Sequence, residues 1–413
     1  MPWHKACTGR SIEHLNRARR TFLISLIVTA VTVAAAGPVA AAPPNWVQRI
    51  DDVVGNDPVS VVIGYQGEIL YHHKDWVGRA PASNEKLLLS MALLNRLDPS
   101  TTIPTRVLTT DPVGSDGTLR GDLWIVGHGD PEIGAPDIKE LATALKSEGL
   151  DRVRGRVMGA TGPFKRDWFA PGWRDYFPTY YIALPTALTF RYNRGPNGQM
   201  VTDPERRAAA ALTAQLRARG IRVSERPGMG AAPTNLSGLT TIQSDPLEQI
   251  MRRMNVVSSN FRAEVLGKYL GARVRGAPGS IAKGAKAIEG FMHAQGLPVE
   301  AHDGSGLSYA NRVSAHAIVR ALWVADASPW GGTLRNTLAH GGQGTLEDRL
   351  KDVRLRAKTG TLIDISALSG WVWLEREDAW GQFSILSKGI SKTRSIHVEN
   401  AIVRVVSANA GPR

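Results

Sequence analysis

The sequence predicts a mixed α/β fold: an antiparallel sheet flanked by helices, carrying an inserted, mainly-β segment. Three observations predict it. Strand-like alternation of apolar and polar residues opens the chain at Pro58 to Asp75 and closes it between Leu355 and Ser387. Helical spacing of apolar residues dominates from Pro246 to Asp326. Between about Thr105 and Leu239 the texture changes to short strands and Gly- and Pro-rich turns. The chain has 413 residues, more than one hydrophobic core usually serves, so two domains or one domain with an insertion is expected.

The N-terminal residues need separate treatment. Arg17, Arg19 and Arg20 precede an uncharged run from Thr21 to Ala42, the pattern of a secretory signal peptide spanning residues 1–42. Its apolar part, Phe22 to Ala36, is short for a membrane span, and Gly37, Pro38 and Ala40 to Ala42 supply a cleavage region. An uncleaved anchor is the alternative. The stretch Arg19-Arg20-Thr21-Phe22-Leu23 also fits a twin-arginine export signal. Export to the periplasm or the extracytoplasmic cell wall follows. The single cysteine, Cys7, falls in this segment, so the exported chain is expected to contain no disulfide and no cysteine metal site. Net charge is +13, and +9 once residues 1–42 are set aside, with 45 Lys/Arg against 36 Asp/Glu. A basic exported protein can be drawn to anionic wall polymers or a membrane surface, with simple solubility the alternative reading, whereas export argues against nucleic acid.

Residues 43–104 and 240–413 are expected to form one catalytic domain, with 105–239 inserted into it. Asn45 to Val54 has the apolar stripe of a short amphipathic helix, and Pro58 to Asp75 reads as a hairpin turning at Gln66-Gly67. Leu87, Leu88, Met91, Leu94 and Leu97 define a buried helix from Glu85 that stops before Pro99. The insertion holds a strand at Leu119 to Val126 and helices at Asp137 to Ser147 and Pro204 to Arg219. A helix from Pro246 past Met254 is expected to kink near Ser258 and run on to Tyr269, followed by helices at Ser280 to Gln295 and Ser314 to Asp326. Strands at Leu355 to Gly360, Ala367 to Leu374 and Gln382 to Ser387 precede a last helix around His397 to Ser407.

A serine three residues before a lysine on a helix puts both side chains on one face, so the amine can take the hydroxyl proton. Ser83 and Lys86 have this spacing, and so do Ser280 and Lys283. Only Ser83 stands ahead of both Ser258-Ser259-Asn260 and Lys358-Thr359-Gly360, completing the ordered set S-x-x-K, S-x-N, K-T-G. Taken singly, Ser83 could be a helix N-cap, Asn260 a turn cap and Lys358 to Gly360 a strand entering a glycine bend. His72, His73 and His128 lack the partner spacing of a zinc site and read as strand or loop residues. The indoles of Trp168, Trp173, Trp371, Trp373 and Trp380 could contact glycan but more often serve packing.

With these motifs the chain resembles the low-molecular-mass class C penicillin-binding proteins, D-alanyl-D-alanine carboxypeptidases and endopeptidases with a large insertion after S-x-x-K. The gap from Ser83 to Ser258 fits that insertion, and Gly121-Asp122-Leu123, Gly129-Asp130-Pro131, Asp303 to Ser308 and Gly344-Thr345-Leu346 extend the likeness. The resemblance implies a β-lactamase/transpeptidase-like sheet, peptidoglycan stem peptides as substrate, β-lactam antibiotics as inhibitors, and neither metal nor organic cofactor. It also implies roles. Ser83 is the nucleophile and Lys86 its base, with an ammonium pKa lowered by burial and by Lys358. Ser258 relays the proton to the leaving nitrogen, Asn260 binds the substrate amide, and Lys358 and Thr359 hold the terminal carboxylate at the Lys358-Thr359-Gly360 strand. Backbone N–H groups of Ser83 and Thr361 form the oxyanion hole. Asp303 to Ser308 reads as a structural turn without a catalytic role. One departure is visible: where the family often has Asp-Asp-Ser-x-Phe, this chain has Ala160-Thr161-Gly162-Pro163-Phe164, removing the usual acid for a diaminopimelyl amine. A β-lactamase and a non-catalytic wall-binding protein are the alternatives.

Overall fold

The structure is a computed structural model that describes residues 45–411. The expected signal peptide, with its twin-arginine stretch, and Cys7 lie outside the described residues. Among those described, no helix is long and apolar enough to cross a membrane.

The first and last strands of the chain meet in one five-stranded sheet. Its order is Leu355–Leu362, Ile365–Leu374, Ala379–Lys388, Val59–Tyr65, Glu68–His73, and every pairing is antiparallel. The strand period of two explains how this sheet is sandwiched. Val61, Ile63, Leu368, Val372 and Ile385 face a layer built from the terminal helices Asn45–Val54 and Lys392–Asn409, through Trp46, Ile50, Val398 and Ile402. Val62, Ala367, Trp371 and Leu386, on the opposite face, meet the helices Glu85–Arg96, Asn260–Arg275, Ile281–Ala294 and Ala315–Asp326. Each Leu or Ile fully buried in these layers stabilises the fold by about 1.5–3 kcal/mol before entropy is counted.

Residues 104–243 build a second sheet, in the order Ser237–Gln243, Pro104–Thr109, Leu123–Gly127, Val157–Ala160, Gly228–Gly230. Its first two pairings are antiparallel and its last two parallel. Helices Ala135–Ser147 and Pro204–Arg217 cover it through Leu141, Leu145, Ala208 and Leu212, giving a core made only from this part of the chain. The strand expected at Leu119 to Val126 is divided into Thr118–Leu119 and Leu123–Gly127. Between them the side chain of Asp122 accepts the Arg156 N–H at 2.8 Å.

The expected kink near Ser258 is a full break between helices Leu247–Val256 and Asn260–Arg275. Ser258 has φ of 56°, a left-handed conformation that non-glycine residues adopt at a cost of order 1–3 kcal/mol and that clusters at functional sites. Ser259 then caps the second helix, its hydroxyl accepting from the Arg262 N–H.

Candidate active site

Ser83 lies in a single 3-10 turn, Ala82–Asn84, directly ahead of helix Glu85–Arg96. Two contacts hold that turn against the sheet. The Asn84 amide donates to Ser369 Oγ at 2.8 Å, and Gly360 approaches so closely that a Cβ there would lie 2.7 Å from the Pro81 carbonyl oxygen. The glycine of the K-T-G strand is thus required by the neighbouring turn. Ser83 is no helix cap: Asn84 occupies the N-cap position without a side-chain capping bond.

Lys86, one helical turn on, is completely buried and donates to Ser83 Oγ at 2.9 Å, Asn260 Oδ1 at 2.8 Å and the Ser305 carbonyl at 2.5 Å. These three acceptors aim the amine at the serine. Burial lowers the Lys86 pKa to about 8, with Asp303, Glu264 and Glu85 opposing the fall. Of the two causes expected from sequence, burial and repulsion from Lys358, burial is the dominant one. The repulsion is expressed at Lys358, whose ammonium is held well below the usual lysine range first by its own burial and then by Lys86.

Lys358 donates to Ser258 Oγ and to the Thr359 carbonyl, each at 3.0 Å. Thr359 donates its hydroxyl to Thr345 Oγ1 at 2.7 Å. A cleft of about 520 Å³ opens above this network, lined by Ser83, Ser258, Asn260, Thr359 and Thr361 together with Gly306, Leu307 and Thr345. The buried Lys86, Lys358 and Gly360 lie beneath it. The seven motif residues and Thr361 therefore converge on one place.

The turn from Asp303 to Ser308 contributes more than a bend. Asp303 accepts N–H groups from Gly306 at 2.9 Å and Ser308 at 2.8 Å, and the Trp173 indole N–H at 2.7 Å. Glu264 accepts the N–H groups of Gly304 and Ser305 at 2.9 and 2.7 Å. The two carboxyl groups fix the Ser305 carbonyl on Lys86, a contribution invisible in sequence because it comes from backbone. Burial pushes the Glu264 carboxyl up to about 8, with Asp303 adding to the rise.

Sequence reasoning also missed the aromatic wall of the cleft, Tyr176, Phe177 and Tyr181, and the basic edge formed by Arg349 and Lys392. Thr345 had a signal in the stretch Gly344-Thr345-Leu346, but the cations had none. Ala160 to Phe164 contributes no residue to the cleft lining; Phe164 is buried against Gly129 and Gly279. The second S-x-x-K match is a helix start, where Ser280 Oγ accepts the Lys283 N–H while the Lys283 ammonium bonds the carbonyls of Gly276 and Pro278. Among the described residues no three His, Cys, Asp or Glu side chains converge as metal ligands. Trp173 and Trp371 are buried, and each indole N–H donates to a carboxylate, of Asp303 and Asp326 respectively.

The model of the D-Ala-D-Ala carboxypeptidase 3 (S13) family matches residues 54–196 and 187–409, nearly the whole described chain. The chain belongs to that family. This S13 chain is 26% identical to the D-alanyl-D-alanine carboxypeptidase of an Actinomadura species, over 86% of its length and 81% of the relative's. It is 29% identical to a carboxypeptidase of Mycobacterium tuberculosis, with 83% and 78% covered. Penicillin binding protein 4 of Haemophilus influenzae has the same fold, with a TM-score of 0.75 at 19% identity over 87% of this chain and 99% of that one. The S13 enzyme is a serine-type D-Ala-D-Ala carboxypeptidase.

Proposed function

We propose that this enzyme removes D-alanine from peptidoglycan stem peptides through an acyl-enzyme on Ser83. The observation that carries the assignment is the Ser83 hydroxyl 2.9 Å from a fully buried lysine amine. With its pKa brought to about 8 by burial, Lys86 holds a useful neutral fraction near neutral pH and can take the serine proton as Oγ attacks the penultimate D-alanine carbonyl. The backbone N–H groups of Ser83 and Thr361 receive the oxyanion. Ser258, held by Lys358, passes a proton to the departing D-alanine nitrogen, and Asn260 binds the substrate amide. Thr359, on the same strand, meets the terminal carboxylate. Water then cleaves the ester.

Residues 105–239 act as a domain inserted into the catalytic one, a reading supported by their separate sheet and core. The same mechanism extends to cross-linked peptides, which are cut after the same D-alanine and differ only in the leaving group. A β-lactam resembles the D-Ala-D-Ala terminus and acylates the same serine. A peptidoglycan substrate supports an extracytoplasmic location, as does the export signal expected from residues 1–42. Intact-protein mass spectrometry after brief exposure to benzylpenicillin tests the reading: a penicilloyl adduct is expected on wild type and not on Ser83→Ala. An unmodified wild type that consumes no drug overturns it in favour of a wall-binding protein, and rapid drug turnover favours a β-lactamase.

A further inference from the structure

A D-alanine terminus carries a carboxylate, and its recognition calls for a cation that keeps its charge and reaches the cleft. Lys358 is poorly suited to supply this contact. Its amine is fully buried and committed to Ser258 Oγ and the Thr359 carbonyl. Arg349 lines the cleft, but its guanidinium is engaged by Glu399 Oε2 at 2.7 Å and by Asn400 Oδ1 at 2.9 and 3.0 Å.

Lys392 is different. It is exposed, it lines the same cleft as Ser83, and it begins the helix Lys392–Asn409. Its ammonium donates to Thr361 Oγ1 at 2.7 Å and to Ser366 Oγ at 3.0 Å. Among the described residues both of its hydrogen-bond partners are thus neutral hydroxyls, and the nearby Glu399 is already paired with Arg349. A cation in the first turn of a helix also opposes the helix dipole, so the position favours a bound anion. Partial desolvation and Arg349 lower the Lys392 pKa, while Glu399 acts against both.

We propose that Lys392, acting with the Thr361 hydroxyl, is the cation that recognises the C-terminal carboxylate of the substrate. The assignment rests on the peptidase reading and names the specificity determinant of the same site. A lysine donating into Thr361 Oγ1 leaves the threonine proton free to point at the carboxylate, and the polarised pair gives a charge-assisted contact. A site built around such a contact rejects an analogue lacking the charge.

The test compares kcat/KM for diacetyl-L-Lys-D-Ala-D-Ala with that for its C-terminal amide, using wild type, Lys392→Met, Lys392→Gln and Lys392→Arg. Wild type should prefer the free carboxylate, and the two neutral variants should lower that preference ~10- to 100-fold. Lys392→Arg should restore most of it. Glutamine keeps a donor for Thr361 and Ser366, so a methionine variant that fails to fold leaves the comparison intact. Equal losses on both substrates, or an undiminished preference in the neutral variants, overturn the role of Lys392. A wild type inert toward the carboxylate peptide and unlabelled by benzylpenicillin instead overturns the peptidase reading itself.

Discussion

Lys358 Nζ stands 3.0 Å from Ser258 Oγ, at a serine whose left-handed backbone turns it out of the preceding helix. In the proposed mechanism this pair delivers the proton to the leaving group. Ser258→Ala should lower kcat on the peptide by about 10²–10⁴-fold. A thioester analogue, whose leaving group needs no proton, should lose much less; equal losses on both would contradict the relay.

The two S-x-x-K matches separate in one experiment. Ser83→Ala should abolish peptide hydrolysis while leaving the thermal unfolding transition close to that of wild type. Ser280→Ala should leave hydrolysis unchanged and cost about 1 kcal/mol of stability, the usual loss for a helix N-cap. Both variants need only an activity assay and a thermal melt.

The pH profile follows from Lys86. Only the neutral amine can accept the Ser83 proton, and burial brings its pKa to about 8. The acylation rate should therefore rise with pH through an apparent pKa near that value, which belongs jointly to Lys86 and the coupled Lys358. A rate independent of pH from 6 to 10 would exclude Lys86 as the base.

Glu264 gives a stability prediction of definite sign. Its carboxyl is raised from 4.5 to about 8 by burial, so the folded state holds this proton more tightly than the unfolded one. That contribution is fully present below the ordinary carboxyl pKa and is lost as pH rises toward 8. Glu264→Gln should flatten this part of the stability curve, measured by urea unfolding across that range. Glu264→Ala should cost about 2–5 kcal/mol, because the buried N–H groups of Gly304 and Ser305 lose their acceptor.

Gly306 has φ of 78°, and a Cβ there would lie 1.9 Å from the Ala82 carbonyl oxygen. Gly306→Ala should destabilise the fold by about 2 kcal/mol or more and slow benzylpenicillin acylation, because the turn carrying Ser83 must shift. Differential scanning calorimetry and the acylation rate measure the two effects; an unchanged rate in a folded variant would detach this turn from catalysis.

The sequence by itself determined the long helices, the hairpin at Gln66-Gly67 and the two-ended origin of the main sheet, because each is written in a local period of apolar residues. It also determined which Ser and Lys to pair, since the order of three motifs excluded Ser280. Tertiary structure alone decided what surrounds them. The Ser305 carbonyl on Lys86 comes from a backbone turn held by Glu264 and Asp303, and no side-chain pattern announces a carbonyl. Lys392 reaches Thr361 across 31 residues, because the sheet edge and the last helix meet only in the folded chain. The extent of the Lys86 shift was likewise decided by packing: burial depends on everything that closes over an atom, whereas a motif names only one neighbour.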